Sequence, residues 1–134
     1  MMPMHTDKRR AQALEILVSL LRSLRGITAD IFFIAIREAG FSEDEAVKYT
    51  GAVMRTASAR GYMEKTPFSK PSKRNSSNLQ SVWLSKTFVP GIAAQQASVD
   101  WAKKGFEAPE NEAQFWLSQK QFLQAATVSE KGNK

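Results

Sequence analysis

The residues with the clearest chemistry lie in one polar stretch, FSKPSKRNSSNLQSVW, from Phe68 to Trp83. Lys70, Lys73 and Arg74 supply positive charge, and Asn75, Ser76, Ser77 and Asn78 supply small hydrogen-bonding groups. That combination suits an anionic phosphate backbone, where cations displace counterions and polar side chains fix position. Lys65 precedes the stretch. A second basic set lies upstream, where Lys48, Arg55 and Arg60 alternate with Gly51, Ala52, Thr56 and Ala59. Small residues between cations let a helix sit close to another surface.

Catalytic chemistry finds little to work with. The chain has one His and no Cys, so a thiolate metal site and a disulfide are both excluded. No Asp/Glu-x-Lys triplet of a metal-dependent nuclease is present, and no Gly-rich phosphate loop. Glu43, Asp44 and Glu45 form an acidic cluster, which reads as the first turn of a helix favoured by the helix dipole. The expectation is a protein that is not an enzyme and carries no cofactor and no metal.

The net charge of +6 is concentrated before residue 89, and the segment after it is balanced. The 134 residues suit one domain with an extension, and 43% hydrophobic residues are too many for a disordered chain. The apolar run from Ile31 to Ile36 falls far short of the ~18 residues of a membrane span. The N-terminus has no apolar core of a secretory signal. These features predict a soluble, cytoplasmic protein with no membrane partner.

Hydrophobic spacing defines the elements that would position the basic residues. A helix is predicted over 7–25, capped by Thr6, carrying Leu14, Leu17, Val18, Leu21 and Leu24 inward and ending at Gly26. A second spans about 29–39, with Thr28 as cap and Gly40 as stop. Ile31, Ile34 and Ala35 make one apolar face of it, and Phe32, Phe33 and Ile36 make another, so it needs cover on two sides. The third helix, about 43–60, opens on a Ser42–Glu45 capping box and stops at Gly61. Ala46, Thr50, Val53, Met54 and Ala57 point inward. Lys48, Ala52, Arg55 and Ala59 lie opposite, with Gly51 and Thr56 on the flanks and Arg60 in the last turn. Two strands follow, at 62–68 and 80–88, joined by a basic loop over 69–79. Beyond Pro90-Gly91 two further helices are predicted. The second, 110–126, carries Phe115, Trp116, Phe122 and Leu123 in a stripe.

The predicted fold is mainly α with a small β-hairpin. Helix, helix, helix and a long-looped hairpin is the order of a winged helix-turn-helix over 7–90, with a C-terminal helical extension over 91–128. The third helix would enter the major groove of double-stranded DNA, and the loop would be the wing. The expected recognition contacts are Lys48, Gly51, Ala52, Arg55, Thr56, Ala59 and Arg60, the alanines meeting thymine methyls. The expected wing contacts are Lys65, Lys70, Lys73, Arg74, Asn75 and Ser76. Phe32, Phe33 and Ile36, with Phe115, Trp116, Phe122 and Leu123, are expected to pack the extension or form a homodimer.

Residues 28–86 resemble small winged-helix proteins common in bacteriophage genomes. The resemblance rests on TADI before the second helix, GAVMRTASARGYM from Gly51 to Met63, and the basic stretch closing on Val82-Trp83. Thr50 departs from the pattern, which often has an aromatic residue there. The resemblance implies DNA binding, as a transcriptional regulator or replication accessory factor of a phage or mobile element. The alternative is a winged-helix module that binds and redirects a host protein, because fold alone does not set function.

Overall fold

The capping signals of the sequence set the frame of the fold. The structure is a computed structural model that describes residues 2–74 and 78–106, together with residue 118. The first helix, α1 (Met2–Ser23), begins ahead of the predicted span, so Thr6 lies inside it and does not cap it. Leu17, Leu21 and Leu24 are fully buried, as the apolar stripe requires. The helix stops at Ser23, before Gly26. Gly26 and Ile27 instead form a short strand, β1 (Gly26–Ile27), which pairs with Leu84 and Trp83 of a distant strand.

The next two helices are α2 (Ala29–Glu38) and α3 (Glu43–Ala59), joined by a short turn at Gly40-Phe41-Ser42. Gly40 and Gly61 hold φ of 104° and 78°, a region that disfavours side chains. The following residues then close each helix, Phe41 N donating to Ile36 O at 3.1 Å and Tyr62 N to Ala57 O at 2.9 Å. At the start of α3 the Ser42–Glu45 capping box is complete in both directions, at 3.1 and 2.9 Å. The predicted inward residues Ala46, Thr50, Val53, Met54 and Ala57 are all buried.

The hairpin consists of β2 (Met63–Pro71) and β3 (Leu79–Ser85), and the antiparallel sheet has the order β1-β3-β2. The strands run further into the polar stretch than predicted. Lys70 pairs with Gln80 and Pro71 with Leu79, so the connection shrinks from the expected 69–79 to 72–78. The register shifts between Lys65 and Ser69. Pro67, which has no N–H for the ladder, sits in that interruption. Thr66 Oγ1 bridges it by donating to Val82 O at 2.7 Å. Met63 joins the main core, while Val82 and Leu84 pack separately with Phe68.

A fourth helix, α4 (Ile92–Lys103), begins the extension. The second apolar face of α2 is closed within the chain. Phe32 and Ile36 are wholly buried and Phe33 is 8% exposed, in one core cluster with Trp101 and Phe106. Phe115, Trp116, Phe122 and Leu123 lie outside the described residues. No helix among the described residues is long and apolar enough to cross a membrane.

One ion pair joins α1 to the start of α3. Arg9 Nε and Nη2 each donate to Glu45 at 2.9 Å, and the guanidinium stacks 3.8 Å above the Phe41 ring. The Arg9 hydrogen bond, followed by that from the Ser42 backbone, holds the Glu45 carboxyl at about 2 against an ordinary 4.5. A carboxyl depressed in the folded state stabilises fully above its unfolded value and loses that contribution as pH falls through the folded one. Glu45 therefore contributes above pH 4.5 and fades towards about pH 2. In thermal melts taken between about pH 5 and pH 2, Glu45→Gln is expected to show a shallower acid-side loss of Tm than wild type. Parallel acid limbs would remove Glu45 from the account.

Candidate nucleic-acid interface

The outward side of α3 brings together Lys48, Gly51, Ala52, Arg55 and Ala59, while Thr56 and Arg60 lie on the flank towards α1. Lys48, Gly51, Arg55, Ala59 and Arg60 are exposed, and Ala52 and Thr56 are half-buried. This follows from the inward set: once Val53, Met54 and Ala57 are buried, helical geometry turns Lys48, Ala52, Arg55 and Ala59 outward. A Cβ built on Gly51 would meet only the Arg55 guanidinium, at 3.5 Å, so Arg55 lies back along its own helix over the glycine. Arg55 and Arg60 have no carboxylate partner among the described residues. Lys48 Nζ stands 5.5 Å from the Tyr49 ring. Lys65 is exposed on β2, opposite Trp83.

The hairpin loop is arranged differently. It folds back onto the body, and its anchor is Asp30, in the first turn of α2 and wholly buried. Asp30 Oδ1 accepts from Ser72 Oγ at 2.9 Å, with Arg74 Nε at 3.5 Å. Asp30 Oδ2 accepts from Lys73 N at 2.5 Å and Gln80 Nε2 at 3.1 Å. Gln80 Oε1 in turn accepts from the Asp30 backbone N–H at 3.0 Å. Gln80 thus caps α2, in place of the Thr28 hydroxyl predicted for that task. Thr28 is the N-cap residue by position, but its side chain makes no cap bond, and its buried oxygen has no partner among the described residues.

The side chains of Lys73 and Arg74 complete the docking. Lys73 Nζ donates to Gly105 O at 2.8 Å and lies 4.4 Å from the Phe106 ring. Arg74 stacks 4.0 Å over Phe33. A Cβ on Gly105, where φ is 89°, would come within 2.3 Å of Lys73 Nζ. The loop cations expected to meet phosphate therefore have partners inside the chain. Lys70 lies within β2, and Asn75 and Ser76 fall outside the described residues.

Sequence reasoning missed two participants. Asp30 was legible as a first-turn acid that suits the helix dipole, but not as the acceptor for a loop more than 40 residues away. Arg10 is in helical register with Leu14, Leu17 and Leu21 of α1, and sequence reasoning assigns it no role. The structure brings it to α3, where Arg10 Nη2 donates to Thr56 Oγ1 at 3.2 Å.

No cluster of His, Cys, Asp and Glu able to hold a metal ion occurs among the described residues. Compared with protein-family models, curated proteins and solved structures, the chain matches none.

Proposed function

We propose that this chain is a winged-helix protein that binds double-stranded DNA, with α3 as recognition helix and the β2–β3 hairpin beside it as wing. The observation that carries the reading is the outward side of α3: small residues alternating with Lys48 and Arg55, with Arg60 at its C-terminal end, and no carboxylate among the described residues paired to either arginine. An α-helix about 10–12 Å across fits a major groove about 12 Å wide, and Gly51, Ala52 and Ala59 let the backbone come close to it. Glu43 and Asp44 are exposed at the start of α3 and repel phosphate. The C-terminal half of the helix, from Gly51 to Arg60, is therefore the end that enters.

The helix order and the motif resemblance favour a role as transcriptional regulator or replication accessory factor of a phage or mobile element. Lys73 and Arg74 act in this reading mainly by fixing the direction of the hairpin, and reach phosphate only in exchange for Asp30 and Gly105. A homodimer on two half-sites would suit the binding mode.

Fluorescence anisotropy with random duplex and with single-stranded DNA, at salt from about 50 to 200 mM, tests the reading. Lys48, Arg55, Arg60 and Lys65 alone give a log–log salt slope of about −3.6, from about −0.9 per contact. Duplex preference with a slope at least that steep is the expected result. No binding at low salt, or a flat curve, would redirect attention to a protein partner on the same face, where Val47 is 62% exposed.

A further inference from the structure

Two neighbouring arginines of α1 have unequal partners. Arg9 is held by both oxygens of Glu45, by Gln12 Oε1 at 3.2 Å and by the Phe41 ring. Arg10 has one neutral acceptor among the described residues, the Thr56 hydroxyl. That hydroxyl gives its own proton to Ala52 O at 3.1 Å, which leaves a lone pair for Arg10. The pair lines a cavity of about 290 Å³ between α1 and α3. Its walls are Arg10, Thr56 and Arg60 on the polar side and Ala11, Leu14 and Val53 on the apolar side. No carboxylate of the described residues lines it.

Two arginines and a hydroxyl line one cavity, with no carboxylate among the described residues paired to either arginine, a composition that suits a doubly or singly charged oxyanion. A guanidinium prefers a phosphate oxygen to a neutral hydroxyl, because a charge-assisted hydrogen bond is shorter and about twice as strong. The low-polarity walls of Ala11, Leu14 and Val53 strengthen that attraction by keeping water from one side.

We propose that this cavity is a phosphate-binding site, and that its occupant is a backbone phosphate of the duplex read by α3. The inference rests on the DNA-binding reading for its source of phosphate, and on the cavity alone for its chemistry. Thr56 and the C-cap residue Arg60 lie four residues apart, on the flank of α3 that faces α1. When the outer ridge of a helix points at base edges, its flanks meet the phosphates along the rims of the groove. α1 thereby becomes part of the interface, with Arg10 as a contact that positions the protein without reading sequence.

The test uses the full chain in two arms. In the first, duplex binding is followed against salt for wild type, Arg10→Gln and Arg10→Lys. Arg10→Gln is expected to flatten the slope from about −4.5 to about −3.6 and to weaken binding about tenfold near physiological salt. Arg10→Lys should keep the slope, because the charge remains, while losing part of the affinity. Arg10 is exposed, so all three are expected to melt alike, and circular dichroism checks this.

In the second arm, inorganic phosphate is titrated into the protein and the Arg10 Nε–H and Thr56 amide signals are followed by NMR. Saturable shifts in wild type that vanish in Arg10→Gln support the site. If wild type binds duplex steeply and Arg10→Gln has the same slope, the backbone phosphate is overturned as occupant, whatever happens to α3. If duplex does not bind but phosphate saturates the cavity, the DNA reading falls and the site stands as one for free phosphate. Absence of both effects removes the site.

Discussion

Asp30→Ala is expected to lower the stability of the fold by about 3 kcal/mol and to release the hairpin loop from the body. The carboxylate is wholly buried, and it accepts from Ser72 Oγ, Lys73 N and Gln80 Nε2 while facing Arg74. Alanine leaves those donors facing an apolar gap. The Ser72 side loses most, since Ser72 is itself buried and cannot turn fully to water. The charge is well sited as well, in the first turn of α2 where the helix dipole favours an anion. Against a typical total of 5–15 kcal/mol, a loss of this size separates an anchored loop from a loose one.

Asp30→Asn refines the experiment. One amide oxygen can still accept from Lys73 N and Gln80, and the Ser72 hydroxyl can reverse to accept from the new NH₂. The attraction for Arg74 is lost in either orientation, so asparagine should cost less than alanine but more than nothing. Urea unfolding measures both variants, and hydrogen exchange at the Lys73 amide reports the loop directly. A loss under about 1 kcal/mol in Asp30→Ala, with the Lys73 amide still protected, would show that Asp30 is not the anchor.

The docking also alters what the charge of the hairpin can do. A free basic loop would present Lys73 and Arg74 to any anion at equal cost. Here the Lys73 ammonium holds the carbonyl that follows α4, and Arg74 covers Phe33 beside Asp30. Drawing either onto DNA would expose or unpair a group in the body. The hairpin is thus coupled to the extension through Gly105, the glycine at which a Cβ would displace the lysine. This places α4 in mechanical contact with the proposed wing, though the two are separated by the whole of β3 in sequence.

The sequence disclosed the parts of this arrangement that are local. The Ser42–Glu45 box and the glycines after α2 and α3 act over a few residues, so their signals are complete in the sequence. The inward face of α3 was equally legible, because burial repeats with the helical period. What failed was non-local. β1 is two residues long and exists only because β3 pairs with it. Lys70 and Pro71 carry turn-forming neighbours, yet the partner strand extends β2 through them. Thr28 has the residue type of a cap, but Gln80, distant in sequence, supplies the bond. Arg10 continues the face of α1 that carries Leu14, Leu17 and Leu21, but only the packing of α1 against α3 decides that it meets Thr56.

Arg55→Glu is expected to weaken duplex binding about a hundredfold, or about 3 kcal/mol, with no comparable loss of stability. Arg55 is exposed, unpaired with any carboxylate among the described residues, and stretched over Gly51 at the centre of the outward face. Its removal leaves no buried donor behind, so the folded state tolerates the change. In the proposed complex its reversal forfeits one cationic contact and introduces an anion where phosphates and base-edge acceptors would converge. Arg55→Gln isolates the first part. If Arg55 makes a bidentate bond to guanine, glutamine should cost about 1–3 kcal/mol on the preferred duplex and relax selection at that one base pair. If it meets phosphate instead, the loss should be uniform over sequences and the salt slope should flatten by about 0.9. Selection from a random duplex pool, run with wild type and Arg55→Gln, distinguishes the two. Unchanged affinity in Arg55→Glu would exclude α3 as the recognition element, because no anion at the centre of a groove-filling helix escapes the field of two phosphate backbones.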